Sequence, residues 1–262
     1  MTKILIIGKK GFIGSYLKEH LSKYFNVKNY SIDDVFKKKK IFLKEYTHII
    51  NATIHKNYVK KKYNIKFDFD RNFINKFGDL KFKYIFFNSR KIYYPKLNIN
   101  EKSKIKPQNI YAKNKIITEN FLKKKLNKRL ISLRISNIIG KRKYNSLRNS
   151  HVLFFDNFLK YRSKKKLVVL NEFKDFLSIQ QFCKVMKKII STDINGIYNI
   201  SLSHKIYISE ITRWLDKEFY KRIEFIKSKE DSFTLSNKKI LKKINLKLKK
   251  KKLQLDCKKI II

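Results

Sequence analysis

Ser89, Tyr111 and Lys115 are the residues of this chain whose types and spacing could do chemistry together. Tyr111 and Lys115 lie four apart, so on a helix they share one face. An ammonium beside a phenol stabilises the phenolate and lowers the phenol pKa. Such a tyrosine can exchange a proton with a carbinol or carbonyl at neutral pH. Ser89 ends the largely apolar run that starts at Phe82, and its hydroxyl could hold the same oxygen. The trio suits hydride transfer to or from a nicotinamide ring. In a chain with 15 tyrosines and a large excess of lysine, the Tyr-x-x-x-Lys spacing alone carries little weight. Its order after a serine-ended strand carries more.

Hydride transfer needs a dinucleotide, and the N-terminus offers a cradle for one. Ile4 to Ile7 reads as a buried parallel strand. It runs into Gly8, Gly11 and Gly14, and Phe12, Ile13, Tyr16, Leu17 and Leu21 follow at helical spacing. Glycines let the backbone approach a pyrophosphate, and the N–H groups of the helix start favour its charge. The chain has only 6 glycines, and three of them fall in this loop, which argues against an ordinary turn. Cofactor contacts are expected from Gly8, Lys10, Gly11, Phe12, Ile13 and Gly14. Asn26 to Ser31 reads as the second strand. The residue ending it meets the adenosine ribose; an acid there binds the 2′-hydroxyl of NAD and repels the 2′-phosphate of NADP. Ser31 stands at that point, and Asp33 and Asp34 come too late. Lys10 could pair with a 2′-phosphate. NADP(H) is favoured, and NAD(H) stays open if Asp33 swings in.

Thr47 to Thr53 reads as a buried strand whose end, Asn51, Ala52 and Thr53, could lie along the cofactor. His48 and His55 read as packing or surface residues. Asp68 to Phe77 reads as a helix with Phe69, Phe73, Ile74 and Phe77 on its apolar face. The helix opened by Tyr111 continues through Glu119 and Leu122. Further on come a basic stretch from 141, a helix from Val152 to Tyr161 and a strand from Leu167 to Leu170. Ile208 to Phe219 reads as one amphipathic helix, and Lys247 to Lys252 as an exposed charge run.

Hydrophobic content of 43% and aromatic content of 14% exclude a disordered chain. The length of 262 residues suits one α/β domain with a smaller appendage. The formal net charge of +45 has two readings, a polyanion-binding surface or compositional drift. Phosphate recognition recruits arginine as well as lysine. Here the positive charge is mostly lysine and is scattered, so drift is favoured and nucleic acid is disfavoured. Cys183 and Cys257 make neither a disulfide framework nor a metal-ligand spacing, and no metal is expected. No apolar run reaches membrane-spanning length. The N-terminus enters a strand without a signal-peptide pattern, so a cytoplasmic location is expected.

With these residues in place, the chain resembles the extended short-chain dehydrogenases/reductases, in the NAD-dependent epimerase/dehydratase family acting on nucleotide sugars. Gly8 to Leu17 resembles the nucleotide loop, and Asn51-Ala52-Thr53 the Asn-Ala-Ala strand end. Ser89 to Tyr93 resembles the Ser-Ser-x-x-Val-Tyr-Gly segment, from which Asn88 and Tyr94 depart. Glu101, Pro107 and Tyr111 to Lys115 follow with similar spacing. Leu133 to Gly140, Lys174 to Ile179, Gly196 to Ile200 and Phe233 to Ile240 resemble later segments. The resemblance implies an α/β fold, a Rossmann-type doubly wound parallel sheet with a small C-terminal substrate lobe. It implies a dinucleotide-binding part over 1–140 with returning strands in 173–201, and a lobe built from 141–172 and 202–262. It implies Tyr111 as acid/base, Lys115 on the nicotinamide ribose and tuning Tyr111, and Ser89 on the substrate carbonyl. Ser89, Arg90 and Asn137 are expected to meet a nucleotide-sugar substrate; Asn137 and Arg134 could equally serve strand-end hydrogen bonding. Arg142, Lys143 and Arg148 could reach a diphosphate, with a solvated loop the preferred reading for each. Dehydratases of this kind carry an acidic pair beside the hydroxyl residue, whereas Arg90 and Lys91 follow Ser89 here. That leaves NADPH-dependent reduction of a keto-sugar nucleotide, with NAD-dependent epimerisation as the alternative and a polyanion-binding protein on the same fold as an alternative of another class. A homodimer through the Tyr111 helix is implied, weakened by repulsion among Lys123, Lys124 and Lys125.

Overall fold

Ile4, Leu5, Ile6 and Ile7 are fully buried in β1 (Lys3–Ile7). Ile4 and Ile6 enter one apolar cluster and Leu5 and Ile7 another. Successive side chains of a strand point to opposite faces, so a continuous apolar run means a sheet covered on both sides. The structure, a computed structural model, describes residues 2–144, 154–164 and 166–261.

After β1 come α1 (Phe12–Leu21), β2 (Asn26–Tyr30), α2 (Ile32–Phe36), α3 (Lys40–Leu43), β3 (His48–Asn51) and α4 (Lys56–Lys60). Next are α5 (Phe69–Phe77), β4 (Lys83–Ser89), α6 (Ile110–Leu126), β5 (Leu130–Ile135) and β6 (Asn137–Ile139). The later chain gives α7 (Phe154–Tyr161), β7 (Leu167–Asn171), β8 (Phe173–Lys174), β9 (Phe176–Ser178), α8 (Ile179–Ser191) and β10 (Gly196–Ile200). It closes with β11 (Ile206–Tyr207), α9 (Ile208–Leu215), α10 (Lys217–Tyr220), β12 (Ile223–Lys227), α11 (Lys238–Ile244) and α12 (Lys250–Ile261).

Six of these strands form one parallel sheet in the order β10-β5-β4-β3-β1-β2. Leu17 and Leu21 of α1 and Phe182, Met186 and Ile189 of α8 cover one face. Phe73, Ile74 and Phe77 of α5 and Leu122 and Leu126 of α6 cover the other. The fold is the expected doubly wound α/β sheet. The strand order reverses between β1 and β3, the place where open α/β sheets receive ligands. Among the described residues three two-stranded pairs lie outside the main sheet: β6 with β9, β7 with β12, and β8 with β11.

Three local readings change in the folded chain. The helix expected from Ile208 to Phe219 breaks at Asp216, whose extended backbone lets its carboxylate accept from Glu218 N and Phe219 N and start α10. The strand expected around Lys174 to Ile179 splits at Asp175. That buried carboxylate accepts N–H groups from Leu202, Ser203 and Leu235, clasping three segments. The charge run Lys247 to Lys252 is not simply exposed. Lys250 pairs with Glu210 at 2.7 Å and Lys252 with Asp256, while Leu253 and Cys257 bury one side of α12. The expected helix start at Val152 lies outside the described residues; α7 begins at Phe154 and ends at Tyr161 as expected.

Candidate active site

The β1–α1 turn is built for close approach. Gly8 has φ +131°, in the region that favours glycine, and a Cβ there would meet the Ala52 carbonyl oxygen at 3.1 Å. A Cβ on Gly14 would run into the Gly8 carbonyl. Gly8 N donates to Tyr30 O and Ala52 N to Ile7 O, so the ends of β1, β2 and β3 meet at this loop. Side chains cap α2, α5, α6 and α8 through Ser31, Asp68, Asn109 and Ser178. Among the described residues no side chain caps α1, and its first turn holds no acid. Its N–H groups therefore keep their positive end for an anion. These residues fit the pyrophosphate of a dinucleotide. Gly14→Ala is expected to lower stability by about 1–3 kcal/mol, because the obstacle is backbone rather than a movable side chain. Urea denaturation followed by circular dichroism measures it.

Ser31 sits at the end of β2, as expected. Its hydroxyl is engaged: Ser31 Oγ donates to Asp34 Oδ2 at 2.7 Å and accepts from Asp34 N. The carboxylate that Ser31 holds at this strand end is Asp34. Lys9 and Lys37 lie near enough to add to the Ser31 hydrogen bond in lowering the Asp34 pKa. Lys10 is exposed beside the loop.

The structure brings Ser89, Tyr111 and Lys115 together. Ser89 ends β4, and Tyr111 and Lys115 stand on the first turns of α6. Ser89 is hydrogen-bonded to Tyr111. Asn109 caps the helix by accepting from Ala112 N, which fixes the turn carrying Tyr111. Behind it Glu119 anchors α6 to the sheet. It receives Arg134 Nη2 at 2.6 Å, Ser132 Oγ at 2.5 Å and Asn88 Nδ2 at 2.8 Å, all buried. Arg134 Nη1 also donates to Tyr93 OH at 2.6 Å. Asn88, a departure from the resembled pattern, is thus a partner of Glu119, and Arg134 serves the strand rather than an open site.

The expected lowering of Tyr111 by Lys115 is replaced by a different arrangement. Burial raises the Tyr111 phenol, the Asp70 carboxylate raises it further, and the Ser89 hydrogen bond opposes both. Lys115 Nζ lies 4.0 Å from Asp70 Oδ2, between the rings of Phe86 at 4.4 Å and Tyr58 at 5.5 Å. Burial lowers the Lys115 ammonium, and Asp70, Asp68 and Glu119 hold it up. Asp70 is the residue that sequence reasoning missed. The sequence places Phe69 on the apolar face, but the buried residues are Asp70, Phe73, Ile74 and Phe77. Their spacing of i, i+3, i+4 and i+7 was visible in the sequence; the carboxylate hid it.

Arg90 is expected at the substrate and instead faces Asp231. Its guanidinium makes two bonds of 2.7 Å to that carboxylate and lies 4.0 Å from the Phe233 ring. Lys174 Nζ joins at 2.6 Å. Burial pushes Asp231 up, but Arg90 and Lys174 outweigh it and bring the pKa down to about 2. Asn137 lies on β6, with its backbone N–H on the Asp175 carbonyl. Arg142 is paired with Asp156 at 2.8 Å and Lys143 with Glu19, which engages both; Arg148 lies outside the described residues.

A glycine-loop parallel sheet with a Ser–Tyr–Lys trio at its strand ends defines a Rossmann-type enzyme of the short-chain dehydrogenase/reductase class. The family model described as "NAD dependent epimerase/dehydratase family" matches residues 4–201. The chain belongs to the NAD-dependent epimerase/dehydratase family, nucleotide-sugar enzymes that bind NAD(P). No curated protein sequence matches it. Among solved structures it is similar to UDP-N-acetylglucosamine 4-epimerase from Methanobrevibacter ruminantium in complex with UDP-N-acetylmuramic acid. That likeness has TM-score 0.76 and 17% identity, over 99% of this chain and 97% of that one. It is similar to RMD from Pseudomonas aeruginosa complexed with NADPH, with TM-score 0.77 and 15% identity, over 100% and 97% of the two chains. UDP-glucuronic acid 4-epimerase from Bacillus cereus in complex with NAD gives TM-score 0.77 and 16% identity, over 99% and 98%. Among the described residues no helix is long and apolar enough to cross a membrane.

Proposed function

We propose that the protein reduces a keto-sugar nucleotide with NADPH. The observation that carries this reading is the hydrogen-bonded Ser89–Tyr111 pair with Arg90, not an acid, beside it and already locked to Asp231. Removal of water from a sugar wants an acid and base beside the hydroxyl residue, and that position here is cationic. Gly8, Gly11, Phe12, Ile13 and Gly14 would hold the pyrophosphate, and Asn51, Ala52 and Thr53 would lie along the dinucleotide. Lys115 would meet the nicotinamide ribose, and Lys10 a 2′-phosphate. The reduced nicotinamide, when bound, supplies the hydride. Ser89 holds the carbonyl oxygen, and Tyr111 gives that oxygen its proton as the carbon accepts the hydride, leaving an alcohol and a tyrosinate that the Ser89 hydrogen bond stabilises. Residues 141–172 and 202–262 would form the lobe that takes the sugar nucleotide.

A second reading, epimerisation on tightly held NAD, draws on Asp34. A carboxylate one turn past β2 could accept the ribose hydroxyls, with Ser31 orienting it. Titration with NADPH and with NADH, followed by reduced-nicotinamide fluorescence at moderate salt, separates the readings. NADPH is expected to bind at least about tenfold tighter, a difference of about 1.4 kcal/mol. Tighter NADH binding favours the epimerase. Binding of neither, with steep salt dependence on a polyanion, moves the protein to a non-redox role.

A further inference from the structure

The most unusual group near the trio is an acid inside an apolar wall. Asp70 is 6% exposed, on the face of α5 that otherwise holds Phe73, Ile74 and Phe77. An ionised carboxylate in such a place is costly unless it is paired and hydrogen-bonded. Asp70 meets both conditions. Its Oδ1 accepts from Asn51 Nδ2 at 2.9 Å and from Tyr84 OH at 2.8 Å. Its Oδ2 faces Lys115 Nζ at 4.0 Å.

Each partner belongs to a different part of the site. Asn51 ends β3, and its Oδ1 receives both Thr53 N at 3.0 Å and Thr53 Oγ1 at 2.7 Å, shaping the strand end beside the glycine loop. Tyr84 lies on β4, the strand that ends in Ser89. Lys115 lies one turn after Tyr111. We propose that Asp70 is a positioning residue: it holds the Lys115 ammonium in the site as its counter-ion and ties it, through Asn51, to the strand end along which the dinucleotide would lie. The inference rests on the dinucleotide reading above and adds to it the residue that keeps Lys115 charged and placed.

The surroundings leave this task to Asp70. Lys115 faces Phe86 of β4 and Tyr58 of α4, and Asp70 and Asp68 at the start of α5 and Glu119 of its own helix act on its charge. Glu119 is committed to Arg134. Asp68, at the start of α5, is fully buried and committed to Tyr63, Thr118 and the Arg71 N–H. Of the carboxylates near Lys115, Asp70 is the one whose oxygen lies within 4.0 Å.

Asp70→Asn tests this with little change of shape. The amide oxygen can still accept from Asn51 and Tyr84, and the negative charge is gone. The ammonium is stabilised by Asp70 against burial, so losing that charge lowers the Lys115 pKa further. The ammonium then loses its proton at lower pH, and its grip on a ribose hydroxyl goes with it. The measurement is the NADPH dissociation constant by nicotinamide fluorescence from pH 6 to 10, beside thermal unfolding without nucleotide. Wild type is expected to bind evenly from about pH 7, above the Asp70 carboxyl that burial raises to about 6, up to the alkaline end. Asp70→Asn is expected to begin weakening at least about one pH unit lower and to lose about tenfold in affinity there. Asp70→Glu, which restores the charge, should move that onset back toward wild type even if it packs less well. A variant that binds with the wild-type pH profile overturns the proposal, as does one whose affinity falls equally at every pH with its melting temperature. Failure of the wild type itself to bind NADPH or NADH would instead remove the dinucleotide reading.

Discussion

Tyr111→Phe is expected to cut turnover about 10²- to 10⁴-fold while leaving nicotinamide binding nearly unchanged. The phenyl ring keeps the packing of the first turn of α6, and only the hydroxyl bonded to Ser89 is lost. In the proposed mechanism it is this hydroxyl that delivers the proton to the substrate oxygen. Burial and Asp70 both raise the phenol, so Tyr111 stays protonated through neutral pH. Reduction needs that protonated form. It should run evenly across neutral pH and fall only as pH rises through the raised pKa. Oxidation of the product alcohol needs the tyrosinate and should rise over the same alkaline range. Steady-state rates in both directions, beside a binding titration of the variant, measure the effect. Wild-type turnover in Tyr111→Phe would remove the mechanism.

Arg134→Met is expected to cost about 3–5 kcal/mol of stability, the usual loss when one partner of a buried ion pair is removed. Arg134 is 3% exposed and Glu119 is 2% exposed. Their charge-assisted bond is supported by Ser132, Asn88 and Tyr93, so the surviving carboxylate would be buried without its cation. The double variant Glu119→Leu with Arg134→Met should recover part of the loss, because no lone charge remains. Urea unfolding of the two variants separates the outcomes. Equal losses in both would mean that packing volume, not charge, sets the cost. Glu119 lies one turn beyond Lys115, so the single variant should also loosen the helix that carries Lys115 and Tyr111.

The same pairs explain how a chain with 65 basic and 20 acidic residues builds an ordered interior. Several acids are spent inside rather than on the surface. Asp70, Glu119 and Asp175 each hold a cation or several N–H groups at a place where elements meet, and the half-buried Asp231 holds Arg90 and Lys174. Exposed pairs such as Lys221–Glu218 contribute little, since solvent screens them.

The sequence by itself determined the covered parallel strands, the glycine loop, the order Ser89, Tyr111, Lys115, and hence the class of enzyme. These are local properties. An unbroken apolar run has no solvent face, three glycines in one turn leave backbone open, and a four-residue spacing puts two side chains on one helix face. Only the tertiary structure decided what each charged side chain meets. Arg90 is expected at a substrate, and Arg134 at either a substrate or a strand end, because a sequence shows a charge without its partner; Asp231 lies far along the chain from the first, and Glu119 reaches the second only across the β4–β5–α6 packing. The sequence reading passes over Asp70 because helical periodicity counts apolar residues and is blind to a carboxylate paired inside. Asp175 and Asp216 broke elements that periodicity ran through, because backbone N–H groups remote in sequence, or just ahead in it, reward the break with hydrogen bonds. Pairing over long sequence distances is set by strand order, and strand order exists only once the sheet has formed.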